Sequence, residues 1–353
     1  MVERLWLTSV AYIIEDVLYA ARATRYGGQL RSKTVVGGLI DQEASAISAL
    51  LSRRVTRDCP ICGYKSDGST LFLAERIREK EISGTTYASR KSPEFMNFRL
   101  LRCPRCTTVY APKPPDLNAI VEAYHQAEYD SSVEAGQAAE TYWQYLSPYI
   151  TTNARRSALE VGCGPGVFLG KLRDAGFTRV VGVEPSEAAC ASSAPDIRPY
   201  IHQGILEEDD YQPASFDLCC CFMTLEHVLE PLRLIRMFER LLTPGGQLAI
   251  VVHDYNATIN RLLGRKSPII DIEHLQLFSH ESIDYMLVNL GFRELHLMPL
   301  VNVYRLAYWM RLLPLPTAIK RFAIGLCGRM GISDLDVAIN VGNLFCIATK
   351  PTI

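Results

Sequence analysis

The spacing of hydrophobic residues changes character about halfway along the chain. From residue 157 onward, short apolar runs of strand length alternate with segments whose apolar residues recur at helical spacing. The strand-like runs are SALEVG, RVVGVE, IRPYIHQG, FDLCCCF, QLAIVVHD, RELHLMPLV and NLFCIATK. Alternation of this kind is typical of a sheet of parallel strands with helices on both faces. We therefore predict an α/β fold built on a seven-stranded, mostly parallel sheet.

The two final predicted strands are separated by a segment that interrupts the alternation. Residues 302–340 have a helical pattern, so we predict a helical insertion between these strands. Upstream of the sheet, amphipathic stretches, two cysteine pairs and a proline-rich connector mark further divisions. We expect a helical segment at 1–57, a small domain at 58–112, a linker with helices at 113–150 and the α/β domain at 151–353.

Composition and charge narrow the class of protein. The chain has 353 residues and a net charge of −1, which argues against a dedicated nucleic-acid binder but leaves a local basic patch possible. No apolar run reaches the ~20 residues of a membrane span. The N-terminal stretch LWLTSVAYIIEDVLYAA is interrupted by two acidic residues and lacks a cleavage site after a clean apolar core. We therefore expect no signal peptide and a cytoplasmic location.

Four of the eleven cysteines form two pairs, Cys59-Pro-Ile-Cys62 and Cys103-Pro-Arg-Cys106. Two such knuckles can aim four thiolates at one ion, and four thiolates leave no open position for water, so we predict a structural zinc ion in a zinc-ribbon domain. The long gap between the pairs should hold a hairpin near residues 82–87. The alternative is two unrelated or redox-active pairs. The other cysteines should behave as small hydrophobic residues: Cys163, Cys190, Cys219, Cys220, Cys221, Cys327 and Cys346.

A glycine-rich turn follows the first strand of the predicted sheet. Residues 160–166 read E-x-G-x-G-x-G, and glycines let a ligand approach the main chain closely. A nicotinamide-binding loop would instead read G-x-G-x-x-G. The second strand ends at Glu184, where a carboxylate can accept both hydroxyls of a ribose. The sequence Thr-Pro-Gly-Gly at 243–246 stands just before the fifth strand.

Together these features resemble the class I S-adenosylmethionine-dependent methyltransferases over residues 140–300. The segments EHVLEP at 226–231 and EHLQLFS at 273–279 are similar to those of the small-molecule branch that includes the sugar C-methyltransferases. Members of that branch often carry an N-terminal zinc domain with two C-x-x-C pairs. The resemblance implies a Rossmann-like methyltransferase sheet, S-adenosylmethionine bound at its carboxyl edge, and in-line methyl transfer to a small biosynthetic acceptor.

The resemblance also implies which residues surround the methyl donor. The three glycines of the motif would line the amino-acid end of the donor, and Glu184 would hold its ribose. Gln203 and Gly204, after the third strand, would flank the adenine. The full set expected at the donor is Glu160, Gly162, Cys163, Gly164, Gly166, Phe168, Glu184, Pro185, Gln203, Gly204, Met223, Glu226 and His227.

Proton removal from an acceptor needs a side chain that titrates near neutral pH, and histidine is the usual choice. We expect His274, with Glu273 beside it, to be the base or orienting group, because the sugar C-methyltransferases have an acid/base pair in the matching segment. His227, after the fourth strand, and His253, at the end of the fifth, should lie at the same sheet edge. The alternative is that the pair at 273–274 only anchors its loop and that His227 only shapes the pocket.

Aromatic and basic residues outside the motifs suggest how the site is covered. In relatives, a segment like that around Tyr124 folds over the donor as a lid; the alternative is a set of core aromatics. From residue 302 to 333 the chain has five cations and no acid, which fits a membrane surface or an anionic, partly apolar acceptor. A dimer interface or a packed lid is the alternative. We expect one or more of four residues to face the acceptor: Tyr304, Tyr308, Trp309 and Arg311.

Other functions are compatible with parts of the same pattern. An RNA base methyltransferase with a zinc-ribbon recognition domain is one alternative, since the ribbon region has local positive charge. The Asn/Asp-Pro-Pro-aromatic signature of amino-nitrogen methylation on nucleic acids is absent after the fourth strand, so a nucleic-acid partner is not expected. A non-methyl use of the same donor, aminocarboxypropyl transfer or cyclisation, is another alternative. A catalytically silent partner subunit disagrees with the intact glycine loop and Glu184.

Overall fold

The computed structural model describes residues 53–78, 86–87, 94–127, 132–150, 156–313, 315 and 317–352, all within one compact unit. The predicted helical segment at 1–57 lies outside these residues apart from its last five. Two sheets organise the described chain: a seven-stranded sheet and a four-stranded sheet. Among the described helices, none is long and apolar enough to cross a membrane.

The larger sheet has the strand order β10-β11-β8-β7-β4-β5-β6. Strands β4 to β8 of this sheet pair in parallel, while β11 runs antiparallel to both β8 and β10. The seven-stranded, mostly parallel α/β sheet is therefore confirmed. Its strands are β4 (Ser157–Val161), β5 (Arg179–Glu184), β6 (Ile201–Gln203), β7 (Phe216–Phe222), β8 (Leu242–His253), β10 (Arg293–Arg305) and β11 (Asp336–Thr349).

Nine α-helices lie in the described part of the chain. They are α1 (Leu117–Gln126), α2 (Ser132–Leu146), α3 (Val167–Asp174), α4 (Glu187–Ala191), α5 (Pro231–Leu241), α6 (Thr258–Leu263), α7 (His280–Asn289), α8 (Leu306–Leu312) and α9 (Thr317–Arg329). Local chemistry sets several of their starts: Asp116 caps α1, Pro231 opens α5, and Ser279 with Ser282 forms a capping box at α7.

Alternate residues of the central strands face two separate cores. Leu218 and Cys220 pack on one face with residues of α2 and α3. Cys219 and Cys221 pack on the opposite face with residues of α5 and α7. A run of three buried cysteines in β7 is therefore explained by a strand covered on both faces, where the thiols fill space as small hydrophobic groups.

The smaller sheet belongs to the cysteine-pair region and is antiparallel, in the order β1-β2-β3-β9. Its strands are β1 (Thr70–Leu73), β2 (Leu100–Arg102), β3 (Val109–Tyr110) and β9 (Gln276–Leu277). The fourth strand comes from the α/β domain, directly after the predicted catalytic pair at 273–274. The predicted zinc-ribbon domain is thus joined to the rest of the unit by a shared sheet. The predicted hairpin at 82–87 falls largely outside the described residues.

The structure shortens the predicted insertion. Strand β10 continues to Arg305 and β11 begins at Asp336, so the helical segment covers 306–335 rather than 302–340. Residues 302–305 continue the antiparallel ladder after a register shift that follows Leu300. This shift displaces the alternation of inward-facing residues, which explains why the sequence pattern ended the strands too early. The third strand is also shorter than predicted, because a 3₁₀ turn occupies Arg198–Tyr200.

Candidate functional site

The glycine loop after β4 is shaped by three residues in the left-handed region of backbone space. Gly162, Gly164 and Gly166 have φ values of 75°, 54° and 74°. A Cβ at Gly162 would meet the Thr224 side chain at 2.1 Å, and one at Gly166 would meet Ile197 at 2.6 Å, so both positions require glycine. A Cβ at Gly164 would meet nothing within 4 Å. Gly164 therefore leaves open space above its backbone.

Two carboxyl groups lie beside this loop. Glu184, at the end of β5, accepts hydrogen bonds from the backbone N–H groups of Gly164 and Ser186, both at 2.8 Å. Burial raises the pKa of Glu184. Glu160 is also buried, and one of its carboxyl oxygens has no hydrogen-bond partner among the described residues. Burial and the nearby Glu184 carboxylate raise the pKa of Glu160 well above its usual range.

A cavity of about 660 Å³ opens at the carboxyl edge of the sheet and continues from the glycine loop to the histidine-bearing loops. Volumes of this size suit small-molecule sites. It is lined by most residues expected at the donor and by all four expected catalytic residues: Glu160, Gly162, Cys163, Gly164, Phe168, Glu184, Pro185, Gly204, Met223, His227, His253, Glu273 and His274.

Three of the expected donor residues do not line the cavity. Gly166 serves the turn itself, as the position before α3 that packs against Ile197. Gln203, the last residue of β6, is exposed to solvent instead. Glu226 is fully buried and accepts a hydrogen bond from the backbone N–H of His253 at 2.6 Å. For these three residues, a contact with the donor stays a prediction.

A cluster of polar side chains occupies the other half of the cavity. The Tyr124 hydroxyl lies 2.7 Å from His227 Nδ1 and donates to a Glu273 carboxylate oxygen at 3.4 Å. Ligating atoms of His227, Glu273 and His274 lie within 4.8 Å of one another. Burial, followed by the Glu273 charge, raises the pKa of Tyr124 well above its usual range, which keeps the phenol neutral. Tyr124 from α1 thus contacts the site directly.

Hydrogen bonds to main chain and side chains fix the orientation of two imidazole rings. His274 Nδ1 lies 2.8 Å from the Ile269 carbonyl, which can only accept, so this nitrogen carries the hydrogen. In neutral His274 the lone pair is therefore on Nε2. His253 Nδ1 lies 2.8 Å from Asn343 Oδ1, while Asn343 donates through its amide nitrogen to Asn302. His253 is held in the same tautomer by this pair of asparagines.

The loops after β7 and before β9 are held together by buried polar groups. Gln276 donates through its amide to the carbonyl oxygens of Leu225, Glu226 and Val228, at 2.7, 3.0 and 2.8 Å. The carboxyl group of Glu226 lies beneath these loops, where burial raises its pKa to about 7. The loop that carries His227 is therefore connected by hydrogen bonds to the strand that follows His274.

Arg57 adds a second connection to the same loops. Its guanidinium donates to the carbonyl oxygens of Ala111, Leu229 and Leu275 at 2.9, 2.5 and 2.8 Å, and to the Gln276 side chain at 3.0 Å. Burial lowers the pKa of Arg57 to about 10, which leaves it charged at neutral pH. Arg57 stands two residues before the first cysteine pair.

The four paired cysteines converge as predicted. Cys59 and Cys106 have Sγ atoms 3.4 Å apart, as do Cys62 and Cys103, and all four Sγ atoms lie within 4.8 Å of one another. A zinc tetrahedron with bonds of ~2.3 Å has edges of about 3.8 Å, which these positions approximate. All four cysteines are free thiols. The cluster can hold one metal ion with four sulfur ligands.

The end of β10 and the helical segment at 306–335 contribute aromatic side chains to the cavity. Tyr304 of β10 lines it together with Tyr308 and Trp309 of α8, in agreement with the expectation for this region. The indole N–H of Trp309 donates to the Val337 carbonyl at 2.8 Å, which fixes the ring. Arg311 does not line the cavity and instead forms an ion pair with Glu134. Three of the four residues named as alternatives therefore line the cavity, and Arg311 pairs with an acidic residue of α2 instead.

Sequence reasoning missed several residues that hold the site: Arg57, Gln276, Asn302 and Asn343. Gln276 carried a detectable signal, since it is a polar residue inside the otherwise apolar run LQLF. Arg57 carried none, because its acceptors lie as far as 219 positions away in the chain.

Comparisons with known proteins agree with this geometry. Residues 132–297 match the family model described as a methyltransferase domain. Together with the sheet topology and the loop after β4, this match identifies a class I S-adenosylmethionine-dependent methyltransferase domain in the chain.

Two curated relatives illustrate the range of similarity. Ubiquinone biosynthesis O-methyltransferase from Pseudomonas paraeruginosa is 33% identical over 117 residues, which are 31% of this chain and 46% of the relative. tRNA U34 carboxymethyltransferase from Idiomarina loihiensis is 26% identical over 166 residues, 43% of this chain and 50% of the relative. The chain spans about half the length of these relatives.

Solved structures with a related fold include a possible histamine N-methyltransferase from Thermotoga maritima. It is 19% identical, with a TM-score of 0.42, and the match covers 61% of this chain and 91% of that protein. Phosphoethanolamine N-methyltransferase 2 from Haemonchus contortus, in complex with S-adenosyl-L-methionine, is 15% identical, with a TM-score of 0.44 and coverage of 68% and 62%.

Glu226 should make stability depend on pH. Its folded pKa of about 7 lies above the ordinary 4.5, so the folded protein holds this proton more tightly than the unfolded chain. The resulting stabilisation is full below pH 4.5 and is lost as pH rises through 7, by at most about 3 kcal/mol. Glu226→Gln should flatten this decline in urea unfolding between pH 5 and 8. Glu122→Gln, on the exposed side of α1, should leave it unchanged, and an equal slope in both variants would contradict the assignment.

Proposed function

We propose that the protein transfers a methyl group from S-adenosylmethionine to a small-molecule acceptor. The observation that carries this proposal is that one cavity joins the glycine loop and Glu184 to the cluster of Tyr124, His227, Glu273 and His274. The first half has the features of a nucleoside-binding sheet edge. The second half offers hydrogen-bonding groups and a histidine with a fixed tautomer, which are the groups that an acceptor with an ionisable proton needs.

The residues around the glycine loop fit the donor. Gly164 leaves open space where a side chain would stand, so a ligand can approach the main chain there. Glu184 would hold the ribose hydroxyls, and the oxygen of Glu160 without a partner would accept from the donor's ammonium group. When bound, S-adenosylmethionine supplies a methyl group activated by a positively charged sulfur atom.

The acceptor half of the cavity would align the nucleophile and receive its proton. In the transfer, a lone pair of the acceptor forms the bond to the methyl carbon, and the electrons of the broken bond remain on sulfur. We assign the departing proton to His274 Nε2, because the Ile269 carbonyl holds the hydrogen of this ring on Nδ1. A carboxylate oxygen of Glu273 lies within 4.8 Å of a ring nitrogen of His274 and would favour the imidazolium that forms. Tyr124 and His227 would orient the acceptor through their hydrogen bond.

The cavity wall favours a small, partly apolar acceptor over RNA. Near the segment at 306–335 it is lined by apolar and aromatic residues: Tyr308, Trp309, Leu312, Leu313 and Ile339. Arg233 also lines the cavity but is paired with Glu207, Glu208 and Glu230, so the wall offers little positive charge to a phosphate backbone. The relatives named as ubiquinone biosynthesis O-methyltransferases support a small-molecule acceptor, and the sugar-type acceptors implied by the EHLQLFS segment belong to the same class.

We also propose that the four-cysteine cluster binds one zinc ion with a structural role, since four sulfur ligands leave no position for a substrate.

Donor binding should fail when a side chain enters the glycine loop. Gly164→Asp places a carboxylate in the open space where the donor's own carboxylate would pass, so calorimetry should detect no binding of S-adenosylhomocysteine. Gly176→Asp is the matched control, because Gly176 also has positive φ and open space but lies at the exposed end of α3. Unchanged donor affinity in Gly164→Asp would refute the donor site.

Loss of the proposed base should slow chemistry without weakening donor binding. His274→Gln removes the nitrogen that receives the proton, and we expect kcat to fall by ~10²–10⁴. Dissociation constants for S-adenosylhomocysteine should stay within about twofold by calorimetry. His280→Gln, at the exposed start of α7, serves as the control. A parallel loss of donor affinity would mean that His274 shapes the pocket instead.

Metal removal should affect folding before it affects chemistry. Cys103→Ser removes one of four ligands from a buried cluster, so the melting temperature should fall markedly and metal analysis should find less than one zinc per chain. Cys327→Ser, a half-buried cysteine on α9 outside the cluster, should behave like the wild type. Absence of zinc from wild-type protein prepared without chelators would overturn the assignment.

A further inference from the structure

The segment that follows β10 exposes an unusual amount of apolar surface. Of the fifteen large apolar side chains exposed in the described part of the chain, eight lie between residues 313 and 339. Phe322 is 74% exposed and Met330 is 63% exposed. Single exposed apolar residues are ordinary, but a concentrated group marks a contact surface.

These side chains form a continuous stripe. Ile319, Phe322, Leu326 and Met330 follow one another at intervals of three or four positions along α9 and the residue just after it. At 100° per residue this spacing places all four on one side of the helix. We call this set the apolar stripe of α9. A neighbouring side of α9, about a quarter turn around the helix, packs inward through Cys327, whose sulfur lies 3.6 Å from Met310 Sδ on α8.

The apolar surface reaches the mouth of the cavity. Leu313 and Ile339 are exposed to solvent and also line the cavity, and so does Ile259 of α6. The rim of the cavity is therefore apolar on two sides. An acceptor with a hydrocarbon portion could leave that portion on the rim while its reactive group reaches the histidines.

The charges on the same segment indicate which kind of partner would bind to the apolar stripe. Between residues 302 and 333 the chain has five cations and no acid. Arg305 pairs with Asp334 and Arg311 pairs with Glu134, but no acidic group among the described residues pairs with Arg321 or Arg329. Arg329 lies beside the apolar stripe, whereas Arg321 projects from the far side of the helix. Both are exposed, and their positive charge complements an anionic surface. A symmetric contact between two copies would bring the same cations face to face, which is unfavourable.

We propose that the apolar stripe of α9 docks the protein on an anionic membrane surface and presents the cavity mouth to an amphiphilic acceptor. The stripe would lie at the boundary between headgroups and acyl chains, Arg329 would contact anionic headgroups, and Arg321 would add to the positive charge facing the membrane from farther away. The docking rests on exposure and charge alone. The statement about the acceptor rests on the methyl transfer proposed above.

Vesicle flotation of the full chain tests the docking without donor or acceptor. Wild-type protein should bind vesicles of phosphatidylcholine mixed with phosphatidylglycerol, bind pure phosphatidylcholine less, and lose affinity as salt increases. The double variant Phe322→Ser with Leu326→Ser should bind at least about tenfold more weakly. Arg321→Gln with Arg329→Gln should remove most of the preference for anionic vesicles.

A matched control separates this surface from exposed apolar residues in general. Leu71→Ser with Val288→Ser removes two exposed apolar side chains from β1 and α7 and should leave vesicle binding unchanged. Equal vesicle binding by Phe322→Ser with Leu326→Ser and by Leu71→Ser with Val288→Ser would overturn the proposal. The proposal would also be overturned if wild-type protein does not bind vesicles but forms dimers, and if the double variant Phe322→Ser with Leu326→Ser is monomeric. Calorimetry with S-adenosylhomocysteine on the same variants shows whether the donor site is intact, so failure of docking and failure of the methyltransferase proposal are distinguishable.

Discussion

The guanidinium of Arg57 connects three separate parts of the chain through hydrogen bonds. It donates to a carbonyl next to β3, to one that follows His227 by two positions, and to one that follows His274 by one position. A buried carbonyl that loses its only donor costs about 1–3 kcal/mol. The Leu275 carbonyl also accepts from the backbone N–H of Ala111, so for this carbonyl Arg57 is a second donor. The geometry of the loops that carry His227 and His274 therefore depends on the charged side chain of Arg57, which belongs to the cysteine-pair region.

This dependence gives the four-cysteine cluster a role that does not require contact with substrate. The cluster fixes the turn at Cys59, which stands two residues after Arg57, and Arg57 with Gln276 holds the loops of the acceptor half. Strand β9 adds a sheet pairing between the same two regions. A metal ion in the cluster would thus support the acceptor half through covalent geometry and hydrogen bonds, whereas the donor half rests on the parallel strands themselves.

The sequence predicted the donor half better than the acceptor half for a physical reason. The glycine loop, Glu184 and the strand order are encoded locally, in a short motif and in the alternation of apolar runs, so the residue pattern alone identifies them. Gln203 and Glu226 do not line the cavity, and this depends on how far β6 extends and on how the loop after β7 folds back. Neither property has a local pattern. The partners of Arg57 and of Asn343 are set by tertiary contacts across long stretches of chain.

The division of the cavity follows from the same contrast. The proposed donor contacts lie at the ends of parallel strands, where the sheet fixes them, so they can stay constant while the rest of the molecule varies. The acceptor half is built from α1, the loops held by Arg57 and the segment at 306–335, all of which are additions to the sheet. Each addition contributes a different property: Tyr124 a hydroxyl, His274 a basic nitrogen, and Trp309 with Leu313 an apolar wall that continues to the surface. An acceptor that contacts the hydroxyl, the basic nitrogen and the apolar wall must combine a reactive polar group with a hydrocarbon portion. Amphiphilic molecules of this kind are present in the membrane surface on which the apolar stripe of α9 would dock.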